Sequence, residues 1–430
     1  MPTVRKPRLG NGATGADHMA LRRHNLAVVL DFLRATEGAS RARVAVETGL
    51  NKATVSSLVT ELIDRGLIEE AESVRGGIGR PGQILRLDGG RLCGLGAEIS
   101  VDYLALMALA VNGDVLAETR LPLDAVAMGA RGVLDVLGNM LVSALAELAG
   151  AGVHVAGLTV AVPGLVKVEP GVIAVAPNLG WRDIAVIDEI RARLGRAEFP
   201  IRVDNEANLA ASACYAEVLA GAHPDVTDIV SLSGGAGVGG GVVSDGRLLR
   251  GGRGFGGEVG HIPIGPADRV CGCGRTGCWE SVVGLDSLFD AAAAPDDPVR
   301  DRSLDLVARL DSLTARAQAG DPRTLTALAE VGTWLGRGAA VLINILNPDV
   351  LVLGGYFAPV SPWLLPLVDR ELDEHVMAPE TGGCQVVVSG LGFAAAVRGG
   401  AQTSLEAVFA DPTLIDLGPA RELARKGATS

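Results

Sequence analysis

The chain has 430 residues, 48% of them hydrophobic and 20% charged, enough apolar surface for about three domains. That composition excludes a disulfide-stapled miniprotein and a largely disordered chain. The formal charge of −12 is unevenly placed: through Asp88 there are 13 Lys or Arg against 10 Asp or Glu, a net of +3, and the remainder carries 25 against 40, a net of −15. A basic head suited to a polyanion precedes an acidic body poorly suited to one.

Residues 1–18 carry Arg5, Lys6 and Arg8 with no apolar stretch behind them, so they read as a disordered basic arm and not as a secretory leader. The head spans residues 19–90. Leu26, Val29, Leu30 and Leu33 recur at helical spacing and predict a first helix over Leu21–Leu33. Ser40 can cap a second over Arg41–Thr48, which Gly49 ends, and Asn51 can cap a third whose Val55, Leu58, Val59, Leu62 and Ile63 form one apolar stripe. This is a helix-turn-helix. The third helix leaves Ala53, Ser56, Ser57 and Thr60 on its far side, small enough to sit deep in a major groove. The predicted DNA contacts are Arg41, Asn51, Lys52, Thr54, Ser56, Ser57 and Arg80. Lys52 and Thr54, at the first turn, suit phosphate, and Ser56 and Ser57 suit bases. Short strands at Leu67–Ile68 and Ile84–Leu87 flank the basic, glycine-rich loop Arg75–Gly82, a wing that would carry Arg80 into a minor groove.

In the body, strand and helix patterns alternate: strands within Leu95–Ala117, a helix over Val133–Leu148 and a strand at Leu158–Val162 make one α/β set. A second set has strands at Ile201–Val203, Ile229–Leu232, Gly240–Val243 and Val350–Leu353 with a helix over Thr324–Leu346. Two similar halves imply a cleft between them, where small ligands bind. The most apolar run, Val153–Val168, contains His154, Pro163 and Lys167 and suits buried strand and turn; no membrane span is expected. The run Ser233–Gly241 is too rich in glycine for a strand interior and reads as a turn.

The densest chemistry follows. Gly257-Glu258-Val259-Gly260-His261 precedes Cys271, Cys273, Cys278 and Glu280. Three thiolates and one imidazole supply the four ligands of a closed tetrahedral zinc site of structural type, one ion per chain, formed in a reducing cytoplasm. Cys93, Cys214 and Cys384 are scattered and read as core residues.

These motifs resemble the ROK family (repressor, open reading frame, kinase), and specifically its transcriptional regulators, over about residues 20–408. The segments that carry the resemblance are Leu50–Leu67, Leu248–His261, the cysteine segment through Glu280, Asp204–Asn208 and Asn347–Gly355. The resemblance implies an α/β body of two-lobed, actin-like (ribonuclease-H-like) ATPase fold behind a winged helix-turn-helix. Lobe one would span residues 91–202, completed by about 395–410, and lobe two 203–394 with the zinc loop; residues 411–430 remain as a tail. It places Gly164, Asn205, Glu206, Glu258, His261 and Glu280 around a sugar.

Departures from the family pattern bear on the chemistry. Family kinases open with Asp-x-Gly-Gly-Thr, a turn that approaches nucleotide phosphate; here the aligned stretch is Glu98-Ile99-Ser100-Val101-Asp102. Side chains replace both glycines, and Asp102 brings negative charge toward the phosphates. The aspartate base of the kinases is matched by Glu206, whose extra methylene shifts the carboxylate by about an ångström, enough to cost ~100-fold in rate. The expectation is therefore not an enzyme but a cytoplasmic, sugar-responsive repressor of carbohydrate uptake or catabolism genes, acting on an inverted-repeat operator as a homodimer or tetramer. The alternative is an active ATP-dependent sugar kinase carrying a DNA-binding head.

Overall fold

The computed structural model describes residues 13–36, 38–72, 83–377 and 384–418. In the head, α1 (Ala13–Arg34), α2 (Arg41–Thr48) and α3 (Lys52–Asp64) are followed by β1 (Ile68–Glu72) and β2 (Gln83–Leu87), an antiparallel pair. The caps form as the residue types require: Ser40 Oγ accepts from the Arg43 amide and Asn51 Oδ1 from the Thr54 amide, while Gly49 ends α2 at φ 70°. Ala39 and Leu85 exchange backbone hydrogen bonds and tie the loop before α2 to the wing. The first helix begins at Ala13, so the expected arm of residues 1–18 is corrected: helix propagation carries its last six residues into α1. The wing loop with Arg80, and the rest of the arm, lie outside the described residues.

Lobe one consists of β3 (Leu92–Ile99), β4 (Tyr103–Ala110), β5 (Val115–Pro122), α4 (Ala125–Gly150), β6 (His154–Val162), the small sheet β7 (Leu165–Lys167), β8 (Val172–Ala176) and β9 (Trp181–Ile184), then α5 (Val186–Leu194) and β10 (Ile201–Asn205). Its main sheet has the order β10-β6-β3-β4-β5, parallel through β10, β6 and β3 and antiparallel beyond. Lobe two comprises α6 (Glu206–Ala220), β11 (Ile229–Gly234), β12 (Val238–Ser244), β13 (Arg247–Leu248), α7 (Glu280–Val283), α8 (Leu285–Ala292), α9 (Leu306–Gln318), α10 (Pro322–Leu346), β14 (Val350–Gly355), α11 (Phe357–His375) and β15 (Gln385–Val388). Its sheet, β13-β12-β11-β14-β15, repeats the same mix of antiparallel and parallel pairs. Because β10 pairs with β6 from Ile201 through Asn205, the expected boundary at residue 202 moves to Asn205.

The glycine run is a third correction. Only Gly235–Gly237 turn; Gly239–Gly241 lie inside β12. The reason is a close approach, since a Cβ on Gly241 would stand 2.4 Å from Ala211 Cβ of α6. Glycine here serves helix-on-strand packing and not a turn.

Among the described residues, α4 is the one helix long and apolar enough by composition to cross a membrane. Its Val133, Leu134, Leu137, Leu141 and Leu148 are buried in the core of lobe one against the sheet.

The last helix, α12 (Ala395–Ala410), returns to lobe one and packs on β3, β6 and α6. A Cβ on Gly96 of β3 would lie 2.0 Å from Val397 O, so helix and sheet meet backbone to backbone. At its far end, Leu405, Val408 and Phe409 enter the hydrophobic core of the head beside Leu26, Leu30, Leu62 and Leu85. The segment beyond is docked too: Arg91 donates to the Leu417 and Gly418 carbonyls at 2.6 Å each, and Arg65 to Ile415 O at 3.0 Å. Head and body thus share one core.

Candidate functional site

All six residues expected around a sugar line one cavity of about 380 Å3 between the lobes: Gly164, Asn205, Glu206, Glu258, His261 and Glu280. Its size falls within the roughly 300–1,000 Å3 of small-molecule clefts. Asn205 and Glu206 arrive at the junction of β10 and α6. Asn205 Oδ1 caps α6 by accepting from the Ala207 and Asn208 amides at 2.8 and 3.1 Å, and its Nδ2 donates to Gly164 O at 2.9 Å. One amide hydrogen of Asn205 is left for a ligand. Beside them Asp204 accepts both guanidinium nitrogens of Arg250, at 3.0 and 2.6 Å. This pair anchors the loop that leads to Glu258.

Glu258 and Glu280 flank His261. The imidazole Nε2 is 3.8 Å from Glu258 Oε2, and Nδ1 is 3.6 Å from Glu280 Oε1. Nδ1 also faces the thiols, 3.7 Å from Cys271 Sγ, and Cys273 Sγ is 3.7 Å from Cys278 Sγ. One donor atom from each of His261, Cys271, Cys273 and Cys278 lies within 4.8 Å of every other. A tetrahedron with ligand bonds of about 2.3 Å has edges of about 3.8 Å, so the four residues could hold a metal ion with donor shifts of no more than about an ångström. The buried Trp279, whose Nε1 donates to Trp334 O at 2.8 Å, pins this loop to α10.

Carboxylates dominate the electrostatics. Burial, reinforced by the charges of Glu98, Glu258 and Glu280, pushes Glu206 up to about 8. Glu98 is pushed up to about 7 by burial, against the hydrogen bond from Tyr103 and the charge of Arg120. Glu258 is raised by burial and by Glu280, with His261 opposing. Tyr103 Oη donates to Glu98 Oε1 at 2.7 Å.

Behind Glu206 the cleft narrows. Glu98, Ser100, Val101 and Asp102, the residues at the expected phosphate turn, line a space of about 50 Å3 together with Ser233 and Ala236. Asp102 is buried and faces Arg302 and Arg309.

On the head, Lys52, Ala53, Ser56, Ser57 and Thr60 are exposed on one face of α3. Arg41 is half-buried: it pairs with Glu70 at 2.6 Å and reaches Ser56 O at 3.3 Å. Asn51 is exposed but spends its Oδ1 on the cap, and Thr54 is half-buried. The structure adds a residue that sequence reasoning missed. Arg22 of α1 lies across this face, pairing with Glu61 and donating to Ser57 Oγ at 3.3 Å. No local spacing links residues 22 and 57; only the packing of α1 on α3 does. Arg182 and Arg275, which also line the cavity between the lobes, were missed for the same reason.

A winged helix fused to a two-lobed, kinase-like body that shares its core defines a DNA-binding transcriptional regulator of the sugar-responsive repressor class. Known proteins agree. The ROK family pattern matches residues 95–406 and the MarR family pattern residues 27–77. The chain belongs to the ROK family. A putative xylose repressor of Caldicellulosiruptor sp. (strain Rt8B.4) is 28% identical over 390 residues, 89% of this chain and 96% of that protein. The xylose repressor of Bacillus subtilis (strain 168) is 26% identical over 88% of this chain and 94% of its own length. A crystal structure of a ROK family transcriptional regulator, a homolog of the E. coli MLC protein, superposes with a TM-score of 0.70 at 26% identity, covering 91% of this chain and 97% of that one.

Proposed function

We propose that this chain represses carbohydrate genes by holding an inverted-repeat operator through a pair of heads and that a neutral monosaccharide bound between its lobes releases the DNA. Xylose is the first candidate, because relatives aligned along nearly their whole length are named for it. The observation that carries the reading is the convergence of Asn205, Glu206, Glu258, His261 and Glu280 on one cavity while the space at Glu98–Asp102 shrinks to about 50 Å3. Carboxylates and an imidazole are suited to sugar hydroxyls, and a pinched, acidic rear is unsuited to nucleotide phosphates. Phosphoryl transfer is accordingly not part of the proposed activity.

His261, Cys271, Cys273 and Cys278 hold one structural zinc in this reading. His261, whose Nδ1 faces the thiols, would hold the ion on that side and keep Nε2 turned toward the cavity as a donor, and the cysteines would tie the loop carrying Glu280. Lys52, Ser56 and Ser57 meet the operator, and Arg80 serves the wing.

The test is a panel of pentoses, hexoses and amino sugars scored by release of an operator fragment, run beside an assay for ATP-dependent phosphorylation of each sugar. Release by one sugar without turnover is expected. Brisk ATP turnover with any of them would restore the kinase alternative.

A further inference from the structure

The pinched rear of the cleft holds charges that the sugar cavity does not use. Asp102 stands in the turn between β3 and β4 on lobe one, its side chain 3% exposed. Facing it from lobe two are Arg309 on α9, 2% exposed, and Arg302 in the loop before it. Asp102 Oδ1 is 3.7 Å from Arg309 Nη1 and 4.0 Å from Arg302 Nε. Both distances exceed hydrogen-bond length by roughly an ångström, and Asp102 Oδ1 and Arg309 Nη1 are both fully buried with no hydrogen-bond partner.

Each partner is otherwise anchored on its own lobe. Arg309 Nε donates to Val299 O at 2.8 Å, and the guanidinium carbon lies 4.7 Å from the centre of the Phe289 ring. Arg302 pairs with Asp286. The Asp102 carbonyl accepts from the Leu123 amide at 3.0 Å. Two opposite charges therefore face each other across the lobe boundary, with Asp102 Oδ1 and Arg309 Nη1 both lacking a hydrogen bond and Arg302 flanking the carboxylate at 4.0 Å. An approach of about an ångström turns the contact into a charge-assisted hydrogen bond.

We infer that Asp102 and Arg309 form a latch between the lobes that engages when the cleft closes on its sugar, so that a protein carboxylate supplies the inter-lobe anion where the sequence resemblance expects a nucleotide phosphate. The two are positioning residues: they stabilise the closed cleft and do not touch the ligand. The inference rests on the sugar-sensing reading.

A double-mutant cycle with Asp102→Asn, Arg309→Gln and the pair tests it by two measurements, calorimetric D-xylose affinity (or that of whichever panel sugar binds) and the melting temperature without sugar. Each single variant should weaken sugar binding about 5- to 10-fold, and the double variant should be no weaker than the worse single one, because the interaction exists only with both partners present. Arg309→Lys, which keeps the charge, should retain most of the affinity; Arg309 acting only through Val299 and Phe289 would give additive losses instead. Without sugar, the melting-temperature losses of the singles should sum to more than the loss in the double. If the wild type binds sugar and the affinity cycle is additive or flat, the latch is wrong and the sensing reading stands. If no sugar binds the wild type, the sensing reading fails and takes closure with it, and an additive melting cycle would then remove the charge pair as well.

Discussion

Replacing Phe409 by alanine should disconnect sugar sensing from DNA binding. The ring belongs to α12 of the body but is buried, 5% exposed, in the core of the head, with the Arg34 guanidinium 4.2 Å from its centre. Truncating a buried phenylalanine costs about 3–5 kcal/mol, and the lost cation–π contact adds roughly 0.5–1 kcal/mol. Allosteric coupling between ligand sites is typically worth ~1–3 kcal/mol, about 5- to 150-fold in affinity. The interface loses more than the coupling it transmits, so the head should no longer follow the body. Operator affinity measured with and without saturating sugar should give a ratio close to 1 in Phe409→Ala, whereas the sugar affinity of the body, whose cavity lies beyond the opposite end of α12, should stay within about twofold of wild type. A variant that keeps the full wild-type ratio would refute the transmission of the signal through α12.

Further outcomes follow from the site. Glu258→Ala should weaken sugar binding about 10- to 150-fold, the loss of one hydrogen bond to a charged group at about 1.5–3 kcal/mol, with operator binding retained; titration calorimetry and gel shifts check both halves. Folded Glu206 and Glu98 keep protons that the unfolded chain releases near its ordinary carboxylate range. The native state therefore binds more protons between about pH 5 and 8, and stability should fall as pH rises through that window and level off above it. Glu206→Gln should flatten the profile of melting temperature against pH, and a slope equal to wild type would contradict the raised value. Cys273→Ser should lower zinc content, measured by elemental analysis, from one per chain toward none, and weaken sugar binding through the loosened Glu280 loop. Arg22→Ala should reduce the salt slope of operator binding by about one phosphate contact; an unchanged slope would remove Arg22 from the interface.

The sequence made the head legible because its signals are local. Ser40, Gly49 and Asn51 act within four residues of themselves, and apolar spacing identified the buried stripe of α3 correctly. The sugar residues were readable for a different reason: four of the six expected around a sugar sit in short contiguous motifs, Asp204–Asn208 and Gly257–His261, which a resemblance can carry as units; Gly164 and Glu280 lie outside them, and the fold lines one cavity with all six. What escaped was set by distant partners. Gly239–Gly241 read as a turn because the close approach of Ala211, nearly thirty residues away, has no trace in the run itself. No local pattern singles out Arg22 or Arg309; only packing faces them with Ser57 and Asp102. The tail resisted for the same reason, since Arg91 and the Leu417 carbonyl are joined only by the return of α12.

This return gives the protein its economy of design. Beside the cleft, Ala395 and Ala396 at the start of α12 line the pinched rear with Glu98 and Asp102; about 24 Å on, at a rise of ~1.5 Å per residue, the same helix ends in the head. Its glycine-mediated contact with β3 leaves it little freedom to slide, and helix α6, which begins with Glu206, packs along it. A movement of lobe two against lobe one is therefore felt by α12 at the point where the sugar residues begin and is delivered where Leu405 and Phe409 support α1 and α3. A cleft that had to admit and release a nucleotide would need its rear open in each cycle. In the proposed function, buried charge at the rear takes the place of that step, so that lobe movement answers to the sugar and to the Asp102–Arg309 pair together, which suits a reporter of sugar concentration.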